Sequence, residues 1–241
     1  NGRRLSCHTL LLVVVVVDAP PESQVHRQIV RKDAEYRDIH LDAATRLYYV
    51  QVEEPDMHVP KGDLQRLLDV LEQEWQLSGL SIDVALLKAL QPALREAKRG
   101  ITVAVHRNKT IIALWSGFRD KAYAVAVDVG STTVAAHLCN LVTGGVLASA
   151  SLMNPQIRFG EDLMSRVSYV MMHPEGADEM TVAIRGALNN LFAQVAAEIG
   201  AEVSDILEIS LVANPIMHHI LLGIDPVELG GAPFALTTDA A

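Results

Sequence analysis

Val127-Asp128-Val129-Gly130-Ser131-Thr132-Thr133 is the stretch that decides the fold. The apolar residues 122–127 read as a buried strand that delivers Asp128 at its end, where a carboxylate can hold a metal-bound water. Gly130 lacks a Cβ, so backbone there can approach a phosphate closely. Ser131, Thr132 and Thr133 add hydroxyls and turn amides, a concave donor set suited to phosphate oxygens. A Walker loop would need Gly-Lys-Ser/Thr ahead of a helix, whereas here a strand follows. The same residue types also favour an ordinary polar hairpin turn, so the surroundings must decide between turn and phosphate loop.

Working outward, residues 134–141 form a second strand, Thr143-Gly144-Gly145 turns it, and residues 146–152 form a third. A loop over 154–162 follows, then a helix over 177–199 with Ile184, Leu188, Leu191, Val195 and Ile199 on one face and Gly200 past its end. Residues 206–212 read as a fourth strand and 216–222 as a short helix. Three antiparallel strands, a helix and a returning strand are the context that favours phosphate binding over the plain turn.

Upstream the chain has a different character. Residues 47–52 are strand-like, and Asp63 opens a one-sided helix carrying Leu64, Leu67, Leu68, Leu71 and Trp75. Ser81 is placed to cap a second helical stretch, which Pro92 ends before a further turn reaching Gly100. Residues 101–105 and 110–114 flank Asn108-Lys109 as a hairpin. The expected class is therefore α+β/α/β, a small α+β unit over 46–120 followed by a second unit over 121–241. The first offers no cluster of catalytic side chains and is assigned a structural or docking role.

Charge supports that division. Residues 1–120 carry 16 basic and 16 acidic side chains, whereas 121–241 carry four basic against 13 acidic, which accounts for the net −9 of the 241-residue chain. So acidic a chain argues against nucleic acid as partner. Its longest apolar run, 10–17, has eight residues. That is too short for a membrane span of about 20 residues and reads as a buried strand. Two cysteines, Cys7 and Cys139, make no disulfide framework, and a reducing cytoplasm is the default.

The loop and its two following strands resemble the first phosphate loop of the ASKHA fold, the actin-like ATPase, ribonuclease H-like superfamily of acetate and sugar kinases and heat-shock ATPases. Three further stretches narrow the resemblance: Asn154-Pro155-Gln156 with Phe159-Gly160-Glu161-Asp162 and Ser165-Arg166; Ala213-Asn214-Pro215-Ile216-Met217-His218-His219; and Leu222-Gly223-Ile224-Asp225-Pro226. Together they resemble the ASKHA-domain ferredoxins, the reductive activators of corrinoid proteins. The resemblance implies a 2Fe–2S cluster passing electrons to the corrinoid cofactor of a partner methyltransferase system, assisted by hydrolysis of ATP with Mg2+ in the ASKHA domain. It implies Asp128 as a catalytic carboxylate and Asp128, Gly130, Ser131, Thr132, Thr133, Asn154 and Asn214 as nucleotide-binding residues. It also implies Cys7, in Arg4-Leu5-Ser6-Cys7-His8, as the distant fourth cluster ligand.

On this resemblance, residues 1–19 correspond to the last strand of a ferredoxin domain, 20–45 to a linker, 46–120 to a middle domain and 121–241 to the N-terminal half of the ASKHA domain. A chain that starts at Asn1 and carries neither three further cluster cysteines nor a second Asp-x-Gly loop after residue 134 is expected to be cut at both ends. It is expected to bind no iron and to show no ATPase activity above background, and a second copy of the chain is a further candidate partner. Two other readings stay open: part of an ASKHA-fold small-molecule kinase, and a non-enzymatic module that binds a partner through residues 46–118.

Other candidates divide between site and scaffold. His137 and Cys139 share a strand face but lack a second ligand pair, so a core thiol beside a strand histidine is favoured over a metal. His218 and His219 point about 100° apart on a helix, which suits no shared ligand. Arg158 and Arg166 flank the Asn154 loop and are equally balanced between surface or salt-bridge roles and contact with phosphate. Glu161 and Asp162 suit a helix N-terminus.

Overall fold

The computed structural model describes residues 40–238. Cys7, the strand read over 10–17 and the linker up to residue 39 lie outside the described residues.

The first sheet is built from β1 (Thr45–Gln51), β2 (Ser81–Ile82), β3 (Gly100–His106) and β4 (Thr110–Ser116), with helices α1 (Asp63–Trp75) and α2 (Val84–Glu96) between them in sequence. The strand order is β1-β3-β4-β2. β3 pairs antiparallel with both β1 and β4, and the two-residue β2 runs parallel to β4. As the central strand, β3 is buried along almost its whole length, and Ile101, Val103 and Val105 pack with Val50, Leu67, Leu71, Leu90, Leu94 and Ile111. The apolar spacing of α1 puts Leu67 and Leu71 into this core, and Gln76 in the left-handed region (φ 58°) stops the helix. The β3–β4 turn takes φ of 50° at Arg107 and 54° at Asn108, the two left-handed positions that a tight hairpin demands.

Around α2 the structure departs from the sequence expectation in three ways. Asp83, not Ser81, caps the helix, its Oδ1 accepting from the Ala85 amide at 2.7 Å. Ser81 belongs to β2 and shares a hydrogen bond with Thr110 at 3.0 Å. Pro92 lies inside the helix instead of ending it. It lacks one amide donor, yet Leu90, Ala93 and Leu94 on both sides of it are buried, and that packing carries the helix on to Glu96. Gly100 then starts β3 rather than merely stopping a helix.

The second sheet contains β5 (Tyr123–Val129), β6 (Thr133–Asn140), β7 (Val146–Met153) and β8 (Ile206–Ala213), in the order β7-β6-β5-β8. The first three are antiparallel in sequence, and β8 returns parallel to β5. Period-two alternation turns Val125, Val127 and Val129 toward a core shared with α4 (Gly176–Glu198) and α5 (Pro215–Leu222), including Met180, Ile184, Leu188, Leu191, Val195 and Ile220. An additional helix, α3 (Leu163–Met172), fills a stretch after the 154–162 loop to which the sequence assigned no element. Asp162 caps it in a reciprocal pair with Ser165, so this acid serves as a helix N-terminal residue. The mixed α/β class, with two small sheets, is the one the sequence indicated.

The two sheets have hydrophobic cores with no residue in common. Polar contacts join them. Arg119 pairs with Asp205 just ahead of β8, lies 4.6 Å from the Trp115 ring and donates its amide to Thr102 Oγ1 at 2.9 Å. Thr45 Oγ1 donates to Glu208 Oε2 at 3.1 Å and lies 3.0 Å from His106 Nδ1. Because the threonine proton goes to the carboxylate, His106 carries its own proton on Nδ1.

Candidate functional site

The chain leaves β5 at Val129 and enters β6 at Thr133, so Asp128 lies within the strand and the turn proper is Gly130-Ser131-Thr132. The Gly130 amide donates to the Thr133 carbonyl at 3.1 Å and closes the turn. The glycine itself is required by this closure: a Cβ at 130 would lie 2.6 Å from the Thr133 carbonyl oxygen. Closure of the turn is therefore one reason for glycine here, alongside the close approach of a ligand expected from the sequence.

The three turn carbonyls are all bonded from behind. Asn154 Nδ2 donates to the Gly130 carbonyl at 2.8 Å, the Asn154 amide donates to the Thr132 carbonyl at 2.8 Å, and Arg166 Nη2 donates to the Ser131 carbonyl. With its acceptors drawn into the protein, the turn leaves its donor side free. Among the described residues no partner engages the Ser131 or Thr132 amides, or the hydroxyls of Ser131, Thr132 and Thr133. Thr132 is exposed, and Asp128, Ser131 and Thr133 are half-buried. A carboxylate, three hydroxyls and outward amides are thus gathered at one end of the sheet, a donor set that suits phosphate oxygens and a hard cation.

β8 brings a further element to the same end. Ala213 pairs with Val129, so Asn214 and the start of α5 emerge beside the turn. Asn214 Oδ1 accepts from the Met217 amide at 3.0 Å and caps α5, with Pro215 at its first position. Asn154 has a different place from the one expected of a ligand contact. It is fully buried, and its Oδ1 accepts from the Gln156 amide at 2.9 Å while its Nδ2 holds Gly130. Its side chain braces the turn from below.

Sequence reasoning left Arg166 undecided, and the structure puts it at the centre of this support. It is the largest of the fully buried side chains. Besides Ser131, its guanidinium donates to the Gly160 carbonyl at 3.0 Å, Gln156 Oε1 at 3.4 Å and Met217 Sδ at 3.0 Å. Burial pushes its pKa down, opposed by the charge of Asp162. A signal was present: Leu163, Arg166, Val167 and Val170 share a helical face, and a cation on an apolar stripe needs a reason to be there.

The remaining candidates have scaffold environments. His219 is buried, with Nδ1 2.9 Å from the Pro215 carbonyl and Nε2 accepting from the Thr237 amide at 3.2 Å, a neutral histidine protonated on Nδ1. His137 bonds Ser149 at 2.8 Å, and burial raises the pKa of the Cys139 thiol. Arg158 lies with its guanidinium 4.6 Å from the Phe159 ring. Among the described residues no group of three or more His, Cys, Asp or Glu is arranged to hold a metal ion, and no helix is long and apolar enough to cross a membrane.

Comparison with known proteins matches residues 34–121 to the RACo linker region and residues 123–241 to the RACo middle region. A curated relative, the corrinoid activation enzyme RamQ of Eubacterium limosum, is 32% identical over 169 residues, covering 69% of this chain and 28% of its own length. A solved structure, a reductive activator for corrinoid, iron-sulfur protein, aligns with a TM-score of 0.73 at 29% identity, covering 84% of this chain and 33% of the other. The chain therefore spans about a third or less of the length of these relatives.

Proposed function

Because this chain belongs to the RACo family, matched through both its linker and its middle region, we propose that it forms part of an ATP-dependent reductive activator of corrinoid proteins. Residues 121–241, in the stretch matched to the middle region, then act as the N-terminal half of an ASKHA ATPase domain, and residues 46–120, within the stretch matched to the linker region, as the α+β unit that precedes it. The corrinoid protein of a methyltransferase system as partner, the cytoplasmic setting and a dimer of two copies belong to the same proposal.

In this reading the Ser131 and Thr132 amides and the hydroxyls of residues 131–133 receive the phosphates of ATP. Asp128 holds a water of the accompanying Mg2+. The oxygen-rich donor set fits magnesium, which keeps several waters and takes one or two carboxylates with substrate phosphates rather than a full protein cage. Asn214, at the start of α5, faces the same end of the sheet and adds a polar contact. When bound, the 2Fe–2S cluster supplies single electrons for the corrinoid, and Cys7 is the residue of this chain proposed to ligate it.

The observation that carries the reading is the turn with all three carbonyls drawn inward, which across trans peptides leaves the Ser131 and Thr132 amides facing outward. The test is a thermal-shift and calorimetric titration of the chain with MgATP, alongside Asp128→Ala. The wild-type melting temperature is expected to rise with MgATP and the variant to lose that response. No response of the wild type at millimolar MgATP would overturn the reading.

A further inference from the structure

Arg166 poses a problem of charge. Its side chain is completely buried, and its four acceptors, two carbonyls, an amide oxygen and a thioether, are all neutral. Among the described residues no carboxylate lies within ion-pair distance of it. Asp162, the acid that acts on it through space, sits at the exposed N-cap of the same helix. A guanidinium does not give up its proton inside a protein, so a full positive charge remains in the interior. Carbonyl dipoles offset part of the cost of burying it, but an unpaired interior cation is strongly unfavourable, and an apolar chain of similar volume would fill the space without that penalty.

Its position suggests what compensates the charge. One guanidinium nitrogen bonds the carbonyl of Ser131, and across that trans peptide the Thr132 amide is directed the opposite way, so the cation stands behind the donor face of the turn. We propose that Arg166 is a positioning residue whose counter-ion is the polyphosphate received by that turn: it holds the Ser131–Thr132 peptide with the Thr132 amide outward and places a positive potential beneath the anion. This rests on the phosphate-binding reading and deepens it, since the anion's recognition is then governed by a residue that never touches it.

The test uses the 241-residue chain, with inorganic pyrophosphate as probe, titrated calorimetrically at low and high salt. Four proteins are compared: wild type, Arg166→Met, Arg166→Lys and Gln156→Glu. The last installs a carboxylate where Gln156 Oε1 now lies 3.4 Å from the guanidinium, which neutralises the cation internally while leaving Arg166 in place to bond Ser131, with loss of the Gln156 Nε2 bond to the Met180 carbonyl. Removing or neutralising the charge is expected to weaken pyrophosphate by about tenfold or more, and R166K, which keeps it, to stay within about threefold of wild type. A folded R166M with wild-type affinity overturns the proposal, as does an R166K as weak as R166M, because bond geometry alone would then be at work. If circular dichroism shows R166M unfolded, Q156E decides, and unchanged affinity there overturns it. Failure of the wild type to bind pyrophosphate overturns the phosphate reading itself, which separates the two failures.

Discussion

Gly130→Ala tests the geometry of the turn most directly. A Cβ at this position would stand 2.6 Å from the Thr133 carbonyl oxygen, with the Thr133 carbonyl carbon next at 3.7 Å. Carbon–oxygen contacts settle at about 3.3 Å or beyond, so the turn must open by roughly 0.7 Å. The atom in the way belongs to backbone and cannot rotate aside. Opening the turn weakens the Gly130 amide bond to the same oxygen, now 3.1 Å, a loss of about 1 kcal/mol. Overpacking strain adds about 1–3 kcal/mol. The expected destabilisation is therefore about 2–4 kcal/mol, which for a chain of this size lowers the melting temperature by roughly 5–15 °C. Urea and thermal unfolding followed by circular dichroism would read it. Gly186→Ala provides the control, because Gly186 is exposed within α4 and a Cβ there meets nothing within 4 Å. That substitution is expected to stabilise by about 0.5–1 kcal/mol through helix propensity. A G130A protein within about 0.5 kcal/mol of wild type would refute the closed-turn argument, since the experimental scatter of such comparisons is of that order.

Other substitutions probe the supports. Asn154→Ala removes two buried hydrogen bonds and strands the Gly130 carbonyl and the Gln156 amide, so a loss of about 2–4 kcal/mol in urea unfolding is expected, with Asn214→Ala costing about 1 kcal/mol through its cap. Leu191→Ala opens a cavity in the fully buried face of α4 and should cost about 2–5 kcal/mol in the same assay. Asp63 is held below the usual carboxylate range, chiefly by its hydrogen bond with Arg99 at 2.7 Å. Its folded-state pKa is depressed, so the stability it contributes is complete near neutral pH and is lost as pH falls below about 4. Asp63→Asn should therefore flatten the acid limb of a stability–pH profile, and an unchanged limb would count against the pairing.

Much of the second sheet was legible because its strands alternate cleanly and end in strong turn residues. The valines at 125, 127 and 129 define the buried face, and Thr143-Gly144-Gly145 announces the β6–β7 turn. α3 was not legible: it is short, rich in methionine, and places Arg166 where the apolar period expects a hydrophobe. Pro92 misled because local propensity says a helix should stop there, whereas tertiary packing of Leu90, Ala93 and Leu94 prevails. At the site, the sequence singled out the turn residues that face outward. It could not reveal that Asn154 and Arg166 converge on the turn from 24 and 35 residues away, because that meeting depends on how α3 and the Pro155–Phe159 turn pack with each other and with α4.

The separate cores of the two sheets bear on how the chain comes apart. Apolar burial is what makes unfolding all-or-none, and the buried clusters of the two sheets have no residue in common. The Arg119–Asp205 pair and the Thr45–Glu208 hydrogen bond cross the joint, contacts that salt and acid both weaken. The two halves should accordingly behave as distinct cooperative units, with amide hydrogens in β3 and in β5 exchanging at different free energies. The order in which they open would be set by solution conditions as well as by temperature.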